Sequence, residues 1–238
     1  MDKMSRGTLY LIPSFLGESP AGNVFPPANR EIISRIKYFI VEELRTARRF
    51  LKKICPEIHI DDLTFKLYNE HSNLIDAAVF LEPLLNGQDA GIISEAGTPC
   101  VADPGSLVVR LAHKSGIRVV PLVGPSSLLL ALMASGFNGQ EFVFHGYLPI
   151  DKQARTKRIK EIEQEIYNKD QTQIFIETPY RNLQLFQAII ETCNESTLLC
   201  LAASLTTPEE SIVTLSIKEW KKKKPDLNKK PTVFLLYK

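Results

Sequence analysis

The chain has 238 residues, of which 44% are hydrophobic and 24% are charged, and its formal net charge is +2. This mixture is typical of a globular protein and excludes disordered and collagen-like chains. The length is sufficient for two small α/β domains, or one large domain, with a sizeable core. Four cysteines are scattered without a C-x-x-C pair, and no two histidines stand at ligand spacing. We therefore expect neither a metal site nor a disulfide framework.

The hydropathy pattern predicts no targeting or membrane segment. The first residues lack the apolar run of a secretory signal. The most apolar stretch, residues 119–137, is interrupted by Gly124 and Pro125 and contains several serines. We therefore expect no membrane-spanning helix and a cytoplasmic protein.

Strands alternate with helices through the first half of the chain. Short apolar runs predict strands over residues 7–13, 38–41, 63–67, 90–94 and 118–123. Amphipathic spacing and proline near a first turn predict helices over residues 30–38, 42–53, 72–85, 104–114 and 126–134. Such alternation predicts a mostly parallel sheet that is covered by helices on both faces. The loop over residues 13–29 is long for a connection between a strand and a helix.

The second half alternates less regularly. Apolar runs predict strands over residues 141–145, 173–177, 197–203, 211–216 and 232–237. Helices are predicted over residues 152–167 and 179–192, with Thr178 as the cap of the second. The last three strands have little helix between them, which favours antiparallel pairing and a mixed sheet. The sequence therefore predicts two α/β domains, residues 1–120 and 121–238.

Positive charge is concentrated in two parts of the second half, residues 152–160 and residues 218–230. A basic stripe of this kind can contact a phosphate backbone. A run of lysines is also typical of a solvated helix face or loop, and no aromatic residues are interleaved to favour nucleic acid. The charge pattern alone leaves both interpretations open.

Two loops rich in small residues and proline are the strongest candidates for a binding site. No G-x-G-x-x-G follows the first strand, and the chain has no G-x-x-x-x-G-K-[ST] and no G-x-S-x-G motif. Instead, residues 94–105 follow one buried strand and residues 121–127 follow the next. The carboxyl ends of strands are where α/β sheets bind ligands, so the two loops would face one crevice. Alternatively, both are only tight turns, and Asp103 either caps the next helix or meets a charged ligand group.

Several motifs resemble the tetrapyrrole (corrin/porphyrin) methylase superfamily. The longest is residues 91–137, with I-S-E-A-G-T-P, A-D-P-G and G-I-R-V-V-P-L-V-G-P-S-S. Within that superfamily the chain is most similar to the bacterial branch that methylates a ribose 2′-hydroxyl of small-subunit ribosomal RNA. Residues 42–51 resemble its acidic–arginine helix, and Asn69-Glu70 its short N-E element. Residues 146–149 and 175–181 resemble its interdomain and second-domain motifs.

This resemblance implies a fold, a cofactor and a partner. The family has two α/β domains with S-adenosylmethionine held in the cleft between them, usually in a homodimer. The substrate implied is ribosomal RNA or the small ribosomal subunit. Carried over by position, the cofactor-binding residues are Ser94, Glu95, Ala96, Gly97, Thr98, Asp103, Pro104, Gly105, Pro121, Gly124, Pro125, Ser126, Ser127, Leu148, Pro149, Glu177 and Thr178.

The reaction needs a group that removes the proton of a ribose hydroxyl, and a carboxylate can do this. Glu70 and Glu177 are the candidates, although an ordinary ion pair of Glu177 with Arg181 is an equally good interpretation. The arginines expected to bind the anionic acceptor are Arg45, Arg48, Arg49 and Arg181. The first three could instead pair with acidic residues on their own helix.

The chain departs from the ribosomal RNA branch at several positions. Glu95 stands where that branch has Asp, and Leu44 and Ala47 stand where it has threonines. Residues 202–207 lack its charged run, and the loop over residues 13–29 is built differently. These departures leave two alternatives open, a methylase of a tetrapyrrole precursor and a non-catalytic RNA-binding protein with the same fold.

Overall fold

The computed structural model of the protein describes residues 6–68 and 74–238. The chain divides into two units, here called unit 1, which ends at Ser126, and unit 2, which spans Ser127–Lys238. Within the described ranges, no helix combines the length and the apolar character needed to cross a membrane.

Unit 1 is built on a parallel sheet of five strands. The strands are β1 (Thr8–Ile12), β2 (Tyr38–Val41), β3 (Thr64–Leu67), β4 (Ala90–Ile93) and β5 (Arg118–Pro121). Their order in the sheet is β3-β2-β4-β1-β5, and every neighbouring pair is parallel. Strands β2 and β4 are buried at every residue, as expected of central strands in a sheet covered on both faces. The parallel sheet predicted from the alternation of strands and helices is confirmed.

Helices cover both faces of this sheet. They are α1 (Ala21–Val24), α2 (Pro27–Ile33), α3 (Leu44–Ile54), α4 (Leu74–Val79), α5 (Glu82–Leu85) and α6 (Ser106–Lys114). Successive side chains of a strand point to opposite faces, and β2 shows the result. Phe39 and Val41 belong to the apolar cluster that contains residues of α2 and α3. Tyr38 and Ile40 belong to the cluster that contains residues of α4, α5 and α6.

Three predicted elements of unit 1 differ from the structure. The helix expected over residues 30–38 begins earlier, because α2 starts at Pro27, and proline is well suited to a first helical position. Residues 72 and 73 of the helix expected over residues 72–85 lie outside the described residues, and the described part is divided into α4 and α5, with Pro83 in the first turn of α5. The predicted loop over residues 13–29 contains α1, which its composition does not indicate.

Unit 2 contains a mixed sheet of five strands. The strands are β6 (Phe142–Tyr147), β7 (Thr172–Ile176), β8 (Leu198–Ala203), β9 (Ser211–Ser216) and β10 (Thr232–Tyr237). Their order is β6-β7-β10-β8-β9. Strands β6 and β7 pair in parallel, whereas the three remaining pairings are antiparallel. The mixed sheet predicted for this half is therefore confirmed.

The helices of unit 2 are α7 (Ser127–Ser135), α8 (Lys152–Lys169), α9 (Asn182–Thr192) and α10 (Ile217–Trp220). The rings of Phe175 and Phe234 stack at 5.9 Å between centroids, in a core that also includes residues of α8 and α9. The prediction that Thr178 caps α9 is wrong. The helix begins at Asn182 behind Arg181, because Thr178 lies in a turn whose carbonyl accepts the backbone N–H of Arg181.

Candidate functional site

The loop that follows β4 is held in a tight turn at Gly97. The Ser94 hydroxyl donates a hydrogen bond of 2.7 Å to the Gly97 carbonyl. The same carbonyl accepts the backbone N–H of Ser14, which follows β1, at 2.9 Å. Gly97 has φ +70°, a conformation that favours glycine. The turn is therefore fixed by both its backbone conformation and its hydrogen bonds.

The two loops identified in the sequence meet at this turn. A Cβ atom added to Gly97 would lie 2.9 Å from Leu16 Cδ2 and 3.3 Å from the Pro125 carbonyl oxygen. At Gly124 an added Cβ would lie only 2.5 Å from Pro13 Cβ. Three loops, those after β1, β4 and β5, thus approach one another at the carboxyl edge of the unit 1 sheet. Side chains would not fit at either glycine because the neighbouring loops already occupy that space, so glycine is required there for the close packing of the three loops.

The second part of the β4 loop contains an Asp turn. Cys100 and Ala102 both have positive φ, 68° and 59°, which is uncommon for residues other than glycine. Asp103 Oδ1 accepts the backbone N–H of Gly105 at 2.7 Å. Helix α6 begins at Ser106 behind Gly105, without a side-chain cap. Asp103 therefore fixes the turn before the helix, and of the two alternatives open for it, direct capping of the helix is not found.

The N-terminus of α3 is tied to the β4 loop by hydrogen bonds. The Thr46 hydroxyl donates to Glu95 Oε1 at 2.5 Å. The Glu42 carboxylate accepts the backbone N–H of Glu95, and it also lies at hydrogen-bond distance from the Asp103 carboxyl group. Glu43 caps α3 by accepting the N–H of Thr46 at 2.8 Å. The segment that precedes α3 thus supports the loop, a role that the sequence did not indicate for Glu42.

These carboxyl groups perturb one another. Burial, with the negative charges of Asp103 and Glu95, raises the pKa of Glu42 to about 7. Burial also raises the pKa of Asp103 above its ordinary value. Asp103 Oδ2 is buried and receives no N–H or hydroxyl hydrogen bond from the described residues. Glu42 is the carboxyl group at hydrogen-bond distance from Asp103, and burial disfavours the charged form of both.

The raised pKa of Glu42 has a defined effect on stability. Its value in the folded state, about 7, lies above the ordinary 4.5, so the folded state binds this proton more tightly than the unfolded state. The stability that Glu42 contributes is complete below about pH 4.5 and is lost as the pH rises towards 7.

Three of the four arginines expected to bind substrate lie on α3. Arg45, Arg48 and Arg49 are exposed, and none forms an ion pair with an acidic side chain within the described ranges. The guanidinium of Arg48 lies 5.6 Å from the centroid of the Phe65 ring. Ala47, one of the departures from the ribosomal RNA branch, is buried in the apolar cluster of this face. The difference between this chain and the ribosomal RNA branch at residue 47 therefore concerns packing in the core.

In unit 2, Glu177 is buried and strongly bound. Its Oε1 accepts hydrogen bonds from Arg181 Nε at 3.0 Å and a second guanidinium nitrogen at 2.8 Å. The Thr178 backbone N–H donates to the same oxygen at 2.7 Å. The ion pair anticipated as an alternative role for Glu177 is thus present. Arg181 also lies against the ring of Tyr180, an exposed aromatic residue.

The remaining sequence candidates are distributed as follows. Ser94, Gly97, Asp103, Gly105, Gly124 and Pro125 come together in unit 1. Ser127, Leu148, Pro149, Glu177 and Thr178 belong to unit 2. Glu70 and its neighbour Asn69 lie outside the described residues. Among the described residues, no group of three His, Cys, Asp or Glu side chains could hold a metal ion, and the four cysteines are free.

Comparison with known proteins gives three informative similarities. Ribosomal RNA small subunit methyltransferase I of Escherichia coli O157:H7 is 33% identical over 210 residues, which cover 87% of this chain and 68% of that protein. The crystal structure of the methyltransferase CobJ matches with a TM-score of 0.65 at 18% identity, over 97% of this chain and 94% of that one. Uroporphyrin-III C-methyl transferase from Thermus thermophilus, solved with S-adenyl homocysteine, matches with a TM-score of 0.57 at 14% identity, over 98% of both chains.

A family model covers most of the chain. The model for tetrapyrrole (corrin/porphyrin) methylases matches residues 26–221, a range that includes the loops after β4 and β5 and the Glu177–Arg181 pair. The family resemblance and the fold expected from it are therefore confirmed. The chain belongs to the tetrapyrrole (corrin/porphyrin) methylase family of methyltransferases.

Proposed function

We propose that this protein transfers a methyl group from S-adenosylmethionine to a ribose 2′-hydroxyl of small-subunit ribosomal RNA. The observation that carries the proposal is the 33% identity, over 87% of the chain, with a relative named for methylation of that RNA. The exposed arginines of α3 offer positive charge to an anionic acceptor. Ribosomal RNA is transcribed and assembled in the cytoplasm of bacteria, so the proposal includes a cytoplasmic location, and it also includes a homodimer.

The residues of unit 1 fit the proposed cofactor. Gly97 and Gly124 allow the loops after β1, β4 and β5 to pack closely at the carboxyl edge of the sheet, where a Cβ at either position would collide with a neighbouring residue. The carboxyl groups of Glu42, Glu95 and Asp103 can accept hydrogen bonds from hydroxyl and ammonium groups. When bound, S-adenosylmethionine supplies the methyl group on a positively charged sulfur. We propose that the loop residues Ser94 to Thr98 and Asp103 to Gly105, together with Pro121 and Gly124 to Ser126, hold the cofactor.

The chain must also orient the acceptor. The main requirement is to align the acceptor oxygen with the methyl group, and fixed loops provide this because little conformational freedom is left to lose. Glu70 and Glu177 remain the proposed proton acceptors, with Leu148, Pro149 and Thr178 as further cofactor contacts. The hydrogen bonds to Glu177 Oε1 also support a positioning role, in which Arg181 and Glu177 hold the start of α9.

A tetrapyrrole precursor is the second candidate acceptor. CobJ and uroporphyrin-III C-methyl transferase have similar structures, but at identities of 18% and 14% this similarity supports a common fold only. A non-catalytic RNA-binding role is the third possibility, since Glu95 and Leu44 depart from the ribosomal RNA branch. The loop after β4 is still tied to α3 despite these departures, because Glu95 accepts a hydrogen bond from Thr46.

The decisive experiment is methyl transfer with radiolabelled S-adenosylmethionine. Small ribosomal subunits are taken from cells that lack the protein, and uroporphyrinogen III is offered in a parallel reaction. We expect label in the ribosomal RNA and, after nuclease digestion, in a 2′-O-methyl nucleoside that mass spectrometry identifies. A Gly97→Trp variant is the control, because an indole cannot be accommodated between Leu16 and Pro125. Label in the tetrapyrrole alone would refute the proposed acceptor, and cofactor binding without any transfer would favour the non-catalytic alternative.

A further inference from the structure

Unit 2 contains a groove lined on one side by consecutive lysines. It lies between α9 and the chain that follows α10, and its volume is about 740 Å³. Leu183, Phe186 and Ile190 form an apolar floor, and Lys221–Lys224 form the rim. We call this feature the lysine groove. Neither the cofactor site nor the proposed chemistry uses these residues.

The backbone that carries the lysines is anchored on both sides. Before them, the Trp220 indole N–H donates to the Leu199 carbonyl at 2.8 Å, and its ring packs edge-on against Phe186 at 5.7 Å. After them, Leu227 is buried in the core, and Asn182 Nδ2 donates to the Lys230 carbonyl at 2.7 Å. The positions of the lysines are thus set by buried groups, which distinguishes this segment from a freely moving lysine-rich loop.

The groove has an excess of positive charge. Lys221 pairs with Glu195 at 3.0 Å, and Lys230 pairs with Asp226 at 2.7 Å. Lys222, Lys223 and Lys224 are exposed and form no ion pair with the side chains that the structure describes. The nearby acidic groups are Glu191, Glu195, Glu219 and Asp226. Glu195 and Asp226 bind Lys221 and Lys230. Hydrogen bonds from Ser216, with the nearby charges of Lys223 and Lys222, lower the pKa of Glu219. No described carboxylate lies within ion-pair distance of the central three lysines, so an external anion can bind there.

We propose that the lysine groove binds the phosphodiester backbone of the RNA acceptor. This inference rests on the proposed function for the nature of the acceptor. Three adjacent ammonium groups match the repeated charge of a nucleic acid chain, and lysine interacts with phosphate as a point charge without reading sequence. The volume exceeds the need of one inorganic phosphate, and the apolar floor can contact sugars. The groove therefore increases affinity for RNA, and base recognition occurs elsewhere.

The test compares two charge-reversal variants with equal changes in net charge. The first, K222E/K223E/K224E, changes the groove. The second, K152E/K157E/K160E, changes three exposed lysines of α8, a helix on which acidic residues such as Glu161 and Glu165 are interspersed. The probe is transcribed small-subunit ribosomal RNA, measured by filter binding between 50 and 200 mM salt. Calorimetric affinity for S-adenosylmethionine and the melting temperature are recorded for each protein.

We expect the groove variant to bind the RNA at least 10-fold more weakly, with unchanged affinity for the cofactor. The slope of log affinity against log salt should become less negative by about 2, because each lost contact with a single strand contributes about 0.7. The α8 variant should remain within threefold of the original protein, and K222R/K223R/K224R should restore binding. The KM for RNA should rise in the groove variant while kcat at saturating RNA is kept.

Three outcomes would overturn the inference. One is wild-type affinity in the groove variant, and another is an equal loss in both variants, which would indicate a response to net charge alone. If the groove variant has a lower melting temperature than the original protein, RNA binding is measured with K222Q/K223Q/K224Q in its place. Wild-type RNA affinity in that variant is the third outcome. Failure of the proposed function is distinguishable, because it would appear as absent methyl transfer in the unmodified protein, whatever the groove variants do to RNA binding.

Discussion

A substitution at Gly97 tests whether the loop after β4 holds the cofactor. We compare Gly97→Ala with Gly136→Ala, since both glycines have positive φ, +70° and +78°. An added Cβ at Gly136 meets no atom within 4 Å, whereas at Gly97 it meets Leu16 and the Pro125 carbonyl. The control thus has a similar positive φ without the collision, and it belongs to unit 2 and not to the unit 1 loops that are proposed to hold the cofactor.

The structure gives the expected magnitudes. An alanine at positive φ costs about 1–2 kcal/mol, and a smaller unfolded-state entropy offsets part of this, so Gly136→Ala should destabilise by about 1 kcal/mol. At Gly97 the Leu16 methyl must also leave its rotamer, at about 0.5–1.5 kcal/mol. The Pro125 carbonyl, 3.3 Å from the added Cβ, must move by a few tenths of an ångström. Gly97→Ala should therefore lose about 2–3 kcal/mol in total.

Isothermal titration with S-adenosylmethionine is the primary assay, and chemical denaturation is the second. The cost at Gly97 exceeds the cost at Gly136 by about 1–2 kcal/mol. If the loop must keep its shape to bind S-adenosylmethionine, this difference appears as an affinity for the cofactor about 5- to 30-fold weaker in Gly97→Ala. Gly136→Ala should bind within twofold of the original protein. Equal affinities in the two variants, alongside the expected loss of stability, would refute the assignment of this loop to the cofactor.

Two further predictions concern charged groups. Glu42→Gln should remove the loss of stability that the wild-type protein shows as the pH rises towards 7, so the variant should be more stable at pH 8 by about 1–2 kcal/mol after solvent screening. The two proteins should be nearly equal in stability at about pH 4, below the ordinary pKa of the carboxyl group. Burial lowers the pKa of His145, which makes stability rise with pH, but this occurs in both proteins and cancels in the difference. Arg181→Ala should destabilise unit 2 by about 2–4 kcal/mol in chemical denaturation, because it leaves the Glu177 carboxylate buried with only Thr178 as donor. Adding Glu177→Gln should recover part of that loss, and a loss below about 1 kcal/mol in the single variant would contradict the argument.

The parts of the fold that the sequence predicts best are those where burial determines the pattern. The runs at residues 211–216 and 232–237 coincide with β9 and β10, because an apolar, β-branched segment between polar turns has few alternatives to a strand. Strand β4 was recognisable since it is apolar on both faces. Helix ends were predicted less well. Thr178 has the right side chain to cap a helix, but the turn that follows delays α9 to Asn182.

In the candidate site, too, residues whose type is fixed by local backbone geometry were predictable, whereas residues brought in by strand pairing were not. Glycine and proline mark the loops after β4 and β5, because positive φ and close approach restrict the residue type at those positions. No such restriction on residue type applies to Glu42, so its residue type alone does not identify it as part of the site. It reaches the site because Val41 at the end of β2 pairs with Ile93 at the end of β4, so the residues that follow the two strands emerge side by side. Ile12 of β1 pairs with Ile93 from the other side, which brings Ser14 to Gly97.

A rule for sequence analysis follows from this register. In a parallel sheet, the first polar residues after neighbouring strands share one edge, even when tens of residues separate them in the chain. Glu42 and Ser94 satisfy this condition, and Glu95 is the next residue after Ser94. An acidic residue directly after an apolar strand was the available signal for Glu42. What the sequence could not supply was the strand order β3-β2-β4-β1-β5, which makes β1 and β2 the neighbours of β4. Strand order, more than secondary structure, therefore limits how completely such a site can be predicted.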